Sequence, residues 1–353
     1  MRGAGLLAWL RENLFADWKN ALATLVVVAL IARWLPGIID WALIRAITKP
    51  DNAACRALDH AGACWGVIAE KYRLILFGRY PFAEQWRPLL ATLLMVVMLV
   101  ASCTRVLWSR WLVVAWLAVL VVFFALMRGG VAGLTPVETA RWGGVPLTML
   151  LSTLSIAAAF PIAVLVALGR RSHLPAIRTL CIVYVELIRG VPLISVLFMA
   201  SFMFPLFMPP GITVDVLVRV LVGITLFSAA YLAEVVRGGL QAIPKGQHEA
   251  AAAIGLSYWQ TQRKIILPQA LRMVVPSIMN SFISTFKDTS LVTIVSLYDL
   301  TGSLALALGG DANWRQFYLE GYLFIAAIYW AFCFAMSQYS RWVERHLNVG
   351  YAR

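Results

Sequence analysis

Apolar segments of about twenty residues recur along the chain and are separated by shorter polar stretches. Eight of them can be placed, at roughly 20–43, 88–104, 110–128, 145–168, 179–207, 215–237, 272–297 and 316–338. A helix needs about 20 apolar residues to cross a bilayer, whereas the strands of a membrane barrel are about ten residues long and alternate in polarity. The pattern therefore predicts an all-α integral membrane protein with about eight transmembrane helices.

Composition supports this class of protein. Of the 353 residues, 61% are hydrophobic and 13% are charged, whereas soluble domains are about 45–50% apolar and about 25% charged. The net charge of +13 suits basic loops that face an anionic lipid leaflet. We therefore expect membrane lipid, and no nucleic acid, as the partner of these charges.

The charges of the loops predict an orientation. If the chain alternates through eight spans, the short basic stretches 169–178, 237–265 and 340–353 all fall on one side. Short loops rich in Lys and Arg stay in the cytoplasm, so both termini are predicted to be cytoplasmic. The loop 44–87 falls outside although it is also basic, which is tolerable because the rule weakens for longer loops.

A stretch rich in glycine and proline, 129–146, divides the chain. Residues 1–140 form a predicted N-terminal extension with three spans and the outer loop 44–87. Residues 141–340 hold the other five spans, and 341–353 form a cytoplasmic tail. Cys55 and Cys64 share the outer loop, so a disulfide between them is possible if that loop lies outside the cytoplasm.

Several catalytic patterns are absent from the sequence. There is no GxxxxGK[ST] phosphate loop, no histidine pair with zinc-ligand spacing and no GxSxG nucleophile elbow. We therefore expect no catalytic residue, no metal and no cofactor bound by this chain. If transport is driven by nucleotide hydrolysis, another chain must hydrolyse the nucleotide.

Charged residues inside apolar segments are costly, at about 2.5–3.5 kcal/mol each on insertion scales. Glu186 and Arg189 lie three apart in the fifth segment and can pair on one helical face, just before Gly190 and Pro192 kink or break the helix. Two interpretations stay open: a self-satisfied ion pair, or a role in gating or in the substrate path.

The same spacing recurs near the cytoplasmic end of the sixth segment, with Glu234 and Arg237. Here pairing combined with snorkelling of the arginine to the interface is the preferred interpretation.

The seventh segment contains a polar sequence in an otherwise apolar helix, formed by Lys287, Asp288, Thr289 and Ser290. Adjacent helical residues point about 100° apart, so Lys287 and Asp288 should find partners elsewhere, such as another helix. The hydroxyls can satisfy backbone groups or bridge helices. These four residues are the candidate lining of a translocation path, with a structural network as the alternative.

The polar segment between the sixth and seventh spans includes EAAAAIGLSYWQTQRKIILP, residues 249–268. Alanines favour a helix, and Glu249 is expected in its first turn, where the helix dipole favours a negative charge. Gly255 should end this helix, and a second helical segment should follow before Pro268. The pattern suits a helix that docks on a partner, or an amphipathic helix that lies on the membrane.

This segment resembles the EAA signature of ATP-binding-cassette (ABC) importer permeases, EAA-x3-G-x9-I-x-LP, at every fixed position. The matching residues, which the resemblance implies couple the permease to its ATPase, are Glu249, Ala250, Ala251, Gly255, Ile265, Leu267 and Pro268. The sequences 186–193, 231–237, 245–247 and 287–291 look like the polar amino acid (histidine/glutamine-type) subfamily. The extension, with 12–27 at its start, is similar to general L-amino acid permeases.

The resemblance implies a type I ABC importer transmembrane fold for the last five spans, with 240–268 as a cytoplasmic coupling loop. It implies four partners: a second homologous permease subunit, an ATPase dimer that binds ATP and Mg²⁺, a periplasmic amino-acid-binding protein, and the lipid of a bacterial inner membrane. A stand-alone secondary transporter or channel for a small polar solute is the alternative; an inverted repeat would favour it, and none is seen.

Overall fold

The computed structural model is almost entirely helical and describes residues 5–57, 62–131 and 133–348. Parts of the predicted extension (1–4, 58–61 and 132) and the last five residues of the predicted tail lie outside these ranges. The α-helices are α1 (Leu6–Leu14), α2 (Trp18–Ile39), α3 (Asn52–Arg56), α4 (Gly66–Phe77), α5 (Trp86–Cys103), α6 (Arg110–Arg128), α7 (Gly144–Gly169), α8 (Pro175–Arg189), α9 (Leu193–Phe198), α10 (Val216–Gln241), α11 (Lys245–Ala253), α12 (Tyr258–Thr261), α13 (Leu267–Asp288), α14 (Leu300–Gly309) and α15 (Tyr318–Asn348).

The predicted membrane spans are confirmed. Within the described ranges, seven helical stretches are long and apolar enough to cross a bilayer, and an eighth span arises if the bent pair of α8 with the stretch Leu193–Phe207 counts as one. The two halves of that pair meet at 106°. The bend falls at Gly190 and Pro192, as the sequence predicts, because proline cannot continue the hydrogen-bond ladder of α8.

One compact unit comprises residues up to Tyr72 together with Asp311–Gly321. Here a disulfide joins Cys55 to Cys64, and the buried Glu320 accepts a hydrogen bond from the backbone N–H of Cys64 at 3.0 Å. The Lys71 ammonium lies 2.8 Å from the Asp311 carboxylate. The described part of the loop predicted between residues 44 and 87 thus includes two helices, α3 and α4.

The second compact unit comprises Arg73–Gly310 and Tyr322–Arg353. Helix α10 is its most buried span. It packs on α7, α13, α8 and α9. Packing therefore groups α5 and α6 with the five later spans, whereas the sequence places its joint at 129–146.

Small residues allow α7 and α10 to approach closely. Ala159, Ala163 and Ala167 lie at four-residue intervals on α7, and Ala229 and Ala233 do so on α10; all five are fully buried. In lipid, where apolar surface gains nothing by leaving the solvent, such small-residue faces give helices their close van der Waals contact. Helix α13 comes equally close, because a Cβ at position 239 would lie 2.6 Å from the carbonyl oxygen of Ala270.

A buried carboxylate begins α14. Asp299 is fully buried and accepts hydrogen bonds from the backbone N–H groups of Gly302 and Thr301 at 2.9 and 3.2 Å. The hydroxyls of Thr293 and Tyr329 donate to the same carboxylate at 3.0 and 2.9 Å. Asp299 thus caps the helix and also ties it to two neighbouring segments.

We expect Asp299→Ala to lower the free energy of unfolding by about 3 kcal/mol or more, because one buried and three partly buried donors would lose their acceptor. The matched control is Asp215→Ala, which removes the exposed N-cap of α10 and should cost about 1 kcal/mol. Denaturant titration of the detergent-solubilised protein measures both values. Equal losses for the two variants would contradict the role assigned to Asp299.

Candidate functional site

The EAA segment forms a helix, a turn and a second helix. Helix α11 ends in a Schellman motif, in which Gly255 donates its N–H to the carbonyl of Ala252 at 2.9 Å and Leu256 donates to that of Ala251 at 3.1 Å. Gly255 has φ of +75°, a left-handed conformation that strains most residues with a Cβ. The glycine of the signature is thus required by the backbone of the turn.

The second helix begins with a capping box. The Ser257 hydroxyl accepts from the N–H of Gln260, and the Gln260 side chain accepts from the N–H of Ser257 at 2.9 Å. Helix α12 then runs through a π-helical turn, Gln262–Ile266, directly into α13. Pro268 directly follows this π-helical turn, and the chain stays helical through it.

One expectation for this segment is wrong. Helix α11 begins at Lys245 rather than beside the alanines, so Glu249 lies in its second turn and no acidic residue occupies the first. The helix dipole therefore does not explain Glu249. Its side chain is exposed and is available to a partner.

The outer face of the segment is apolar as well as polar. Ile254, Tyr258 and Trp259 are 72%, 50% and 64% exposed and lie on either side of the glycine turn. The sequence pattern did not predict that these three side chains form an exposed apolar face. The available signal was three large apolar residues within six positions of a segment too polar to span a membrane.

The inner face of the segment is fixed to the spans. Ala251 and Ile266 are buried, and Ile266 packs in one apolar cluster with Leu240 of α10 and Ala167 of α7. The side-chain amide of Gln269 on α13 donates to that of Gln247 on α11 at 3.1 Å. The remaining signature residues, Ile265 and Leu267, are half-buried, and Ala250 and Pro268 are exposed.

Above this segment, an arginine–glutamate cluster joins three helices. Arg170, at the end of α7, lies 2.8 Å from Glu234 of α10 and 2.9 Å from Glu186 of α8. Arg237 hydrogen-bonds Glu234 at 3.0 Å through Nε, and Arg189 approaches the same carboxylate at 3.9 Å. The expected pair of Glu234 with Arg237 is present, but the expected pair of Glu186 with Arg189 is replaced by contacts to other helices.

Arg170 is the member of this cluster that sequence reasoning missed. It belongs to the basic stretch 169–178, which the sequence presents only as an orientation signal. Its contact with Glu186 spans sixteen residues of sequence and that with Glu234 spans sixty-four. No local spacing pattern predicts contacts of that separation.

The polar sequence of the seventh segment lies where α13 passes into a 3₁₀ turn. Thr289 is buried and donates to the carbonyl of Phe286 at 2.8 Å. Lys287 is exposed and Asp288 is half-buried; across the described residues neither side chain makes a hydrogen bond or ion pair with this chain, and neither does Ser290. Among the described residues, the two charged side chains therefore interact electrostatically with each other but are not paired with a charged group on another helix.

Comparison with known proteins identifies relatives of the whole chain. The sequence profile described as "Binding-protein-dependent transport system inner membrane component" matches residues 159–349. The inner membrane amino-acid ABC transporter permease protein YhdY of Escherichia coli is 46% identical over 347 residues, which cover 98% of this chain and 94% of that protein.

Two further relatives differ in how much of the chain they cover. The glutamate/glutamine/aspartate/asparagine transport system permease protein BztC of Rhodobacter capsulatus is 36% identical and covers 98% of this chain and 94% of its own length. The probable amino-acid ABC transporter permease protein YckA of Bacillus subtilis is also 36% identical, but covers 57% of this chain and 86% of its own length.

We expect Glu234→Gln to lower the free energy of unfolding by about 2–3 kcal/mol, because the substitution removes the negative charge that contacts three guanidinium groups. The matched variant Glu186→Gln removes one contact of a carboxylate that is 59% exposed and should cost less than about 1 kcal/mol. Thermal and denaturant unfolding in detergent compare the two. A larger loss for Glu186→Gln would refute the central place of Glu234.

Proposed function

Because this chain belongs to the family of binding-protein-dependent transport system inner membrane components, as a permease subunit of an amino-acid ABC importer, we propose that it imports L-amino acids and is driven through its segment 240–268. It is a transport component rather than an enzyme, and a multi-pass inner membrane protein. An ATPase on a partner chain and a binding protein complete such an importer. The observation that supports the coupling proposal best is the Schellman turn at Gly255, which fixes the exposed signature helix in one orientation.

The proposed docking surface consists of α11, the glycine turn and α12. Its exposed residues combine a carboxylate, Glu249, with the apolar side chains of Ile254, Tyr258 and Trp259. Large apolar and aromatic side chains are the usual anchors of a protein interface, and a helix in a groove is a common way to present them. We propose that this surface inserts into a groove of the ATPase, which binds ATP and Mg²⁺.

The contacts of the inner face suit the transmission of force. Ile266 is buried against α7 and α10, and α12 continues into α13 without a break in the helix. A displacement of the docked surface would therefore move α13 directly, rather than being absorbed by a loose loop. In this mechanism, closure of the ATPases switches the connected spans from inward-open to outward-open. The outward-open spans then receive the amino acid from the binding protein.

The proposed division and orientation of the chain follow from this role. Residues 141–340 form the transport domain, 1–140 form an extension that the 98% coverage by YhdY and BztC supports, and 341–353 form a tail. The segment 240–268 and both termini face the cytoplasm, which suits the basic short loops. We propose a broad range of L-amino acids as substrates, and a second homologous permease as the other half of a heterodimer.

Lys287, Asp288, Thr289 and Ser290 are the proposed lining of the translocation path. Lys287 and Asp288 interact electrostatically with each other, but among the described residues neither forms an ion pair or a hydrogen bond with another helix of this chain, although a charge within a membrane span is costly. The zwitterionic head group of an amino acid carries both opposite charges. A passing substrate or the second permease would therefore provide the missing partners.

We expect Gly255→Val to abolish amino acid uptake and to uncouple ATPase activity while the protein still inserts into the membrane. A β-branched residue is strained at φ of +75°, so the turn between α11 and α12 would change shape. Uptake by the complete importer in proteoliposomes, together with ATP hydrolysis, measures the effect.

Two variants separate the strain of the turn from side-chain bulk. Gly238 lies in α10, outside the docking surface and without a positive φ, and both it and Gly255 have open space around a Cβ; Gly238→Val should therefore keep most of the uptake. Gly255→Asn should also keep a measurable part of the uptake, because asparagine tolerates the left-handed region of backbone conformation. Normal uptake by Gly255→Val would overturn the coupling mechanism.

We expect Lys287→Met to reduce uptake at least tenfold without loss of the assembled complex, because a charge that lines the path is removed. Lys19→Met is the matched control, since Lys19 is an exposed lysine in the first turn of a membrane helix. Uptake across a panel of labelled amino acids measures both variants. If Lys287→Met transports normally, the lining proposal is wrong.

A further inference from the structure

A cleft of about 480 Å³ opens between the fifth and sixth spans, at the end of α10 away from the coupling segment. It is formed by the turns that continue α9, the connection 208–215, the start of α10 and the end of the 3₁₀ turn Thr289–Val295. Most of its lining is apolar, including Phe202, Phe204, Met208, Ile212 and Val295. The orientation given under the proposed function places this end of the spans outside the cytoplasm.

Arg219, near the start of α10, is the one charged residue among the described residues that line this cleft. Its Nη1 donates to the backbone carbonyl of Ser201, whereas its Nε–H is buried and has no acceptor. Asp215, one turn earlier, accepts instead from the backbone N–H of Leu217 at 2.7 Å and from the Thr139 hydroxyl. Across the part of the chain that the structure describes, no carboxylate pairs with the Arg219 guanidinium, so its positive charge is uncompensated.

Contact with lipid headgroups does not explain the position of Arg219. An arginine near the end of a membrane helix usually extends its guanidinium to the interface. Here the side chain is half-buried and its bond to Ser201 holds it against the stretch that follows α9. A charge held within a membrane protein is costly, and an anion in the cleft would offset that cost.

Ser201 adds a second buried donor without an acceptor. It lies in the π-helical turn Met199–Met203 and is 5% exposed, and its hydroxyl has no hydrogen-bond partner among the described residues. A buried polar group without a partner destabilises a fold, so two such donors on one cleft indicate a ligand that brings acceptors. A carboxylate has two acceptor oxygens and matches the planar fork of a guanidinium.

The family of this chain indicates which carboxylate the cleft takes. The α-carboxylate is the group that all L-amino acids share, and the chain is a permease subunit of an amino-acid importer. A site that binds the shared group through Arg219 and Ser201, and offers apolar walls to the rest of the molecule, accommodates many different side chains. That selectivity is the one that a broad range of substrates requires.

We propose that the cleft is an outer substrate site, in which Arg219 and Ser201 bind the α-carboxylate of an L-amino acid and the apolar residues contact its side chain. The inference rests on the proposed function and names the group of the substrate that this chain recognises. Ser296 is exposed and also lines the cleft, and its hydroxyl can accept from the ammonium group. The amino acid would enter here from the binding protein, before it reaches the proposed lining 287–290.

The test is equilibrium binding of labelled L-leucine and L-glutamine to the assembled importer in nanodiscs, without the binding protein. The competitors are the unlabelled amino acids and their α-amides. We expect the amides to compete about tenfold less well, because an amide lacks the negative charge and the second acceptor oxygen of a carboxylate. Arg219→Met should weaken binding about tenfold and Arg219→Lys should keep part of it, since a hydrogen bond between charged groups contributes about that much.

A second pair of variants does not require the fold to tolerate the loss of an arginine. Ser201→Ala removes a hydroxyl that binds nothing in the described chain, so it should leave the protein stable and weaken amino acid binding about threefold. Ser155→Ala is the matched control, because the Ser155 hydroxyl on α7 is also buried without a partner but does not line the cleft. It should leave binding unchanged, and thermal unfolding compares the stability of both variants.

Four results would overturn the proposal. The first is a wild-type importer that binds neither amino acid, and the second is equal competition by the amides and the amino acids. The third is binding that Ser201→Ala and the two Arg219 variants leave unchanged. The fourth is an Arg219→Met importer that loses affinity for the binding protein while amino acid binding stays normal, which would assign the guanidinium to an acidic side chain of that protein.

Uptake by the wild-type importer in proteoliposomes tests the proposed function separately. Normal uptake, together with binding that depends on neither Arg219 nor Ser201, would remove the outer site and leave the import function intact. Binding that depends on both residues without any uptake would contradict the import function and not the site. The binding assay needs no ATP hydrolysis, so a failed coupling mechanism would not change its result.

Discussion

The close approach of α7, α10 and α13 is the interaction on which the rest of this structure depends. Alanines at four-residue intervals on α7 and α10, and Gly239 against the backbone of Ala270, bring these helices into direct contact. Inside lipid such contacts provide the packing that the hydrophobic effect provides in water. A larger side chain at these positions would separate the helices and the polar groups that they carry.

The polar contacts at the ends of these helices follow from that packing. Arg170 at the end of α7 reaches Glu234 only because α7 and α10 lie close together. The Glu234 carboxylate also contacts Arg237 and Arg189. Beyond the cluster, Ile266 packs on both helices. The signature segment is therefore built onto the most tightly packed part of the unit, which suits a surface that must transmit a displacement.

The coupling segment shows which structural features a local sequence motif can predict. The identity of its residues, the presence of two helical parts and the glycine turn between them were all predictable, because a left-handed turn leaves a strong local preference for glycine. The start of α11 at Lys245, which removes the dipole explanation of Glu249, was not predictable, because helix ends carry weak signals without a capping residue.

The sequence by itself determined the class of protein, the membrane spans, the bend at Pro192 and the signature of the permease family. These features depend on local properties: the length of an apolar run, the missing N–H of proline, and fixed spacing within a short segment. Only the tertiary structure decided that Glu186 contacts Arg170 instead of Arg189. The reason is physical, since an ion pair forms between opposite charges that are close in space, and distance along the chain does not enter.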